Sequence, residues 1–142
     1  MMAVVLAGCA KEQPNATPEG AVQEFIELMS SFHGNPSEAQ SLFLMLSERA
    51  KSSLRARAER YGAASGKTIA PSAMIVPARL APRFRAQGYS SEVVGRHALV
   101  EIAGTQPHER AQIPCVYEGD GWRIDLVLPD LPPLPKRGDG TR

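Results

Sequence analysis

The chain has 142 residues, 43% of them hydrophobic and 22% charged, with a net charge of +1; this is enough to bury one core and too little for a second domain. Its longest apolar runs, near Met2 to Cys9 and Ile124 to Leu128, fall far short of the roughly 20 residues a membrane-spanning helix requires. The three histidines and two cysteines show no HxxxH or CxxC spacing, so neither metal site nor cofactor is expected.

The chain opens on a short apolar stretch ending in Leu6-Ala7-Gly8-Cys9. These four residues resemble the bacterial lipobox, in which an apolar residue and two small ones precede a cysteine at the end of a signal peptide. The resemblance implies a diacylglyceryl group on the Cys9 sulfur, cleavage between Gly8 and Cys9, and attachment to a membrane of the bacterial envelope. Ala10, where an aspartate would signal retention, implies the outer membrane, with the domain facing the periplasm. Residues 1–8 then form the end of a truncated signal peptide. Such peptides carry a positive start and an apolar segment of about 7 to 15 residues, and no Lys or Arg precedes Cys9, so further residues are expected upstream. The alternative for Cys9 is a disulfide with Cys115, which a thioether-linked sulfur cannot form. Residues 9–16 lack apolar periodicity and read as a polar tether.

Helix signals begin at Thr17-Pro18, an N-cap hydroxyl followed by a proline at the first helical position. Val22, Phe25, Ile26, Met29 and Phe32 then recur at helical spacing up to Gly34. Asn35-Pro36-Ser37-Glu38 repeats the punctuation, with Glu38 placed to complete a capping box, and Ala39, Leu42, Phe43 and Leu46 form a second stripe. Ser47-Glu48 caps a third helix with Ala50, Leu54, Ala58 and Tyr61 on one face and Gly62 as its stop.

Charge is distributed unevenly. Lys and Arg number one against six Asp and Glu up to Glu48, ten against two from Arg49 to Arg96, and five against seven thereafter. Arg55, Arg57 and Arg60 fall near the end of the third helix, where its dipole favours cations; an alternative is contact with anionic lipid headgroups. Nucleic acid is not an expected partner, because the basic segment holds few aromatic residues for stacking and no binding module.

Residues 63–82 contain three prolines and read as a connector with a short strand around Met74 to Val76. From Arg83 the pattern turns to strands. Ala98, Val100 and Ile102 alternate with Leu99, Glu101 and Ala103, and Trp122, Ile124, Leu126 and Leu128 with Arg123, Asp125 and Val127. Gly95-Arg96 and Asp120-Gly121 supply hairpin turns. On this alternation Asp125 points away from the core, towards an arginine on a neighbouring strand. Residues 131–142 form a Pro-rich flexible tail.

Helices followed by an antiparallel meander make an α+β fold, with N-terminal helices packed on a curved antiparallel sheet. The segments TPEGAVQEFIELM, GRHALVEI and EGDGWRIDL are similar to small bacterial lipoproteins of the nuclear transport factor 2-like superfamily. That resemblance covers residues 17–130 and implies a cone-shaped domain able to leave a cavity at its open end. The favoured reading is non-catalytic binding of a small molecule or an envelope protein. The alternative is a cavity enzyme of the ketosteroid isomerase or polyketide cyclase type, which needs an Asp or His base and an oxyanion donor; none of His33, His97, His108 and Asp125 matches such a role, so no catalytic residue is expected.

Overall fold

The computed structural model describes residues 12–133. Gly8 and Cys9, with the expected cleavage and lipidation, lie outside the described residues, as does the tail from residue 134.

Three helices come first: α1 (Pro18–Ser30), α2 (Pro36–Leu44) and α3 (Glu48–Ser65). Each start is fixed locally. The Thr17 hydroxyl accepts from the Gly20 N–H at 3.0 Å, the Asn35 side chain from Ser37 N–H at 2.9 Å, and the Ser47 hydroxyl from Ala50 N–H at 3.2 Å. Glu38 makes no reciprocal capping bond; its carboxylate accepts instead from the His33 N–H, at 3.2 Å. The end of α3 also departs from expectation. The helix runs through Gly62 and stops at Gly66, whose φ of 71° places it in the left-handed region that favours glycine. No basic residue therefore lies in the last turn of α3, and the dipole does not account for its arginines.

A 3-10 turn over Pro14–Ala16 packs on the last hairpin, where a side chain at Gly121 would run into Asn15. The folded part thus includes residues expected to belong to the tether. The connector forms a 3-10 turn over Pro71–Met74 and a one-turn helix α4 (Pro77–Leu80) instead of a strand. Both begin on a proline, whose fixed φ suits the first helical position and whose missing N–H costs nothing there.

Four strands follow: β1 (Gly88–Val94), β2 (His97–Ala103), β3 (Arg110–Tyr117) and β4 (Trp122–Ile124), antiparallel in the order β1-β2-β3-β4. The fold is α+β, with the N-terminal helices on one face of the sheet. Gly95-Arg96 joins β1 to β2 in two residues, as expected. The second turn is longer: four residues separate Tyr117 from Trp122, and the left-handed position is Gly119, with φ 65°, not Gly121.

β4 is short for a covalent reason. Asp125 N–H donates to the Pro114 carbonyl at 2.9 Å, but proline has no N–H to return the bond, and the ladder ends after Ile124. On its other edge β4 meets the junction between α2 and α3. Ile124 N–H donates to Met45 O, and its carbonyl accepts from Ser47 N–H, both at 2.9 Å.

Phe25, Leu42, Leu46, Ile102 and Ile124 are fully buried in the core between helices and sheet; each contributes about 1.5–3 kcal/mol relative to exposure. Ala98, Val100 and Ile102 face inward, which turns Leu99 outward at 41% exposure. Trp122 is half-buried, its ring edge-on to Tyr117 with centroids 5.6 Å apart.

Candidate functional site

The third helix carries Ala50, Leu54, Arg57 and Tyr61 at intervals of four, three and four residues, and so along one face. That face forms one wall of a groove of about 500 Å3. Met74, Val76, Arg79 and Leu80 of the connector form a second wall, and Leu126, Val127, Leu128 and Pro129 a third, with Leu46 also lining it. The third wall exists because the strand pairing stops at Pro114: released from the ladder, the chain after Asp125 runs alongside α3. The volume falls within the roughly 300–1,000 Å3 typical of small-molecule pockets.

Polar groups in the groove come from three side chains, Arg57, Tyr61 and Arg79. Arg57 Nη2 donates to the Pro129 carbonyl, tying α3 to the third wall. Arg57 Nε is buried and has no acceptor among the described residues. Neither Arg57 nor Arg79 forms an ion pair among the described residues, whereas Arg49, Arg55, Arg110 and Arg123 all do. The arginine cluster of α3 is dispersed around the helix, as the 100° advance per residue dictates: Arg57 and Arg60 sit roughly 200° and 140° from Arg55. Arg55 lies over the Phe43 ring, 5.7 Å from its centroid, and pairs with Glu48 at 3.7 Å.

A second, polar cluster gathers around Asp125. Its carboxylate is buried, contrary to the expectation from alternation, because the start of α3 lies beside β4 and supplies partners. Ser47 Oγ donates to Asp125 Oδ1 at 2.7 Å, Arg49 Nε to Oδ1 at 3.2 Å and Arg49 Nη2 to Oδ2 at 2.8 Å. The arginine partner belongs to α3, not to a neighbouring strand. Ser47 is 1% exposed; its hydroxyl proton is given to Asp125 while its oxygen caps α3, which leaves no role as a nucleophile.

The histidines stay apart. His33 follows α1, His97 opens β2 and His108 lies in the β2–β3 turn, all of them exposed. Gly66, which begins the phosphate-loop-like Gly-Lys-Thr, caps the C-terminus of α3, where the dipole repels phosphate. Cys115 is buried and free among the described residues. Burial, with the charges of Asp125 and Glu19, pushes its thiol up to about 12, so it stays protonated and unreactive at neutral pH. Among the described residues there is no cluster of three metal-ligating side chains and no helix long and apolar enough to cross a membrane.

Sequence reasoning had Leu54 and Tyr61 on a common face but missed Arg57 between them, as well as Arg79 and the third wall. The available signal was the i, i+4, i+7, i+11 spacing from Ala50, in which Arg57 occupies a position otherwise apolar or aromatic. No protein-family model, curated protein or solved structure matches the chain, so the groove and its arginines carry the functional reading.

Proposed function

We propose that this chain is a lipid-anchored domain of the bacterial envelope, of the nuclear transport factor 2-like kind, that binds a small, predominantly apolar molecule without transforming it. The observation that carries the binding reading is the groove of about 500 Å3 with three predominantly apolar walls. Its charged side chains are arginines, which donate hydrogen bonds but do not take up protons; this favours binding over the proton abstraction of a ketosteroid isomerase-type enzyme. Attachment through Cys9 at the outer membrane, facing the periplasm, rests on the lipobox-like Leu6-Ala7-Gly8-Cys9. An envelope protein seated on the same groove is the other partner consistent with this reading.

The neutral fluorophore N-phenyl-1-naphthylamine tests the groove. It is expected to bind the full chain, and Val76→Glu or Val127→Glu to weaken binding by about tenfold or more, since each would force a carboxylate against the apolar ligand. Both positions are exposed, at 42% and 71%, so the fold tolerates the change. Unaltered binding in both variants would remove the groove from consideration. Mass spectrometry of the exported protein tests the anchor: an unmodified Cys9 would sink it.

A further inference from the structure

We infer that the ligand of this groove is a single-chain amphiphile with an anionic oxygen head group, and that Arg57 is its anchor. The inference rests on the small-molecule reading above and specifies the ligand's chemistry. Two observations carry it. The walls are largely aliphatic, which suits an acyl or alkyl chain. The charges in the lining are both positive, Arg57 on α3 and Arg79 on α4, and among the described residues neither is neutralised by a carboxylate.

One ligand chemistry answers both. An oxyanion accepts from guanidinium N–H groups at the lining and balances the two positive charges, while its tail takes the place of water along the apolar walls. An alcohol accepts a hydrogen bond but leaves the charge uncompensated, and an ammonium head is repelled. Tyr61, one turn beyond Arg57 on the same face of α3, adds a phenol that can donate to the second oxygen of the head group. A carboxylate and a phosphate monoester share this chemistry, and the choice between them belongs to the experiment.

Titration calorimetry of the full chain with decanoate, decyl phosphate, 1-decanol and decylammonium, all below micelle formation, separates the terms. At least one anion is expected to bind about tenfold or more tightly than decanol, the increment of a charge-assisted hydrogen bond, with decylammonium weakest. The tighter anion identifies the head group. Arg57→Gln is expected to bring the anion-to-alcohol ratio close to one, and Arg79→Gln to reduce it partway. Arg79 is exposed, so its variant and the wild-type series decide the matter even where Arg57→Gln unfolds. Equal affinity for anions and alcohol would overturn the head-group inference while leaving the apolar groove standing; binding of none of the four would overturn both.

Discussion

Asp125 is 9% exposed, yet it accepts three hydrogen bonds from two side chains of unequal standing. Ser47 is buried and its bond is shielded from water, whereas the side chain of Arg49 is 63% exposed, so solvent screens most of that ion pair. The hierarchy yields an ordering of variants. Asp125→Ala is expected to lower stability by about 2–3 kcal/mol, because it strands the buried Ser47 hydroxyl and removes a charge-assisted bond. Arg49→Ala is expected to cost less than about 1 kcal/mol. Urea denaturation of the two variants measures both; an Arg49 variant as damaged as the Asp125 variant would show that the exposed ion pair, not the buried hydroxyl, holds this corner. The position of Asp125 was legible in the strand alternation, but its burial was not. Alternation assigns a side of the sheet and says nothing of a helix start lying beside the edge of β4.

At the scale of elements, helix starts were legible and helix ends were not, and the strand pattern expected from Arg83 begins only at Gly88. Thr17, Asn35 and Ser47 cap their helices through bonds to residues two or three positions ahead, which sequence alone displays. The stop of α3 depends instead on how the chain turns back after the helix. A Cβ at Gly62 would sit 2.7 Å from the Lys67 carbonyl oxygen, so this glycine lets the chain fold back closely against the helix rather than ending it. Gly66 meets nothing within 4 Å but holds φ at 71°. Alanine in a helix interior usually stabilises by about 1 kcal/mol relative to glycine, and here the sign reverses. Gly62→Ala is expected to destabilise through the clash, and Gly66→Ala by about 1 kcal/mol through backbone strain. Thermal melts decide; a stabilised Gly62→Ala would mean that the chain after α3 moves aside easily. The shortness of β4 has a similar lesson: Pro114 was visible inside an apolar strand, but its effect falls on the neighbouring strand, whose bond it cannot return.

Across the whole molecule, the α+β order of helices and then meander could be read from periodicity, since each element declares its own period. The groove could not, because its walls come from residues 46–61, 74–80 and 126–129, and no local pattern records which distant segments will meet. The first and last of these segments are joined by Ile124, hydrogen-bonded to the α2–α3 junction on one edge while β4 pairs with β3 on the other. Helical and sheet halves are therefore expected to unfold together, with far-ultraviolet circular dichroism and Trp122 fluorescence giving coincident urea transitions. Helical signal that outlasts the exposure of Trp122 would contradict this. The same junction sets the order in which the domain is completed during synthesis. Ser47 and Asp125 lie 78 positions apart, so α3 waits for nearly the whole domain before its first turn finds its partner, and a chain cut after Tyr117 would leave both the β3 edge and the Met45 carbonyl open to other chains.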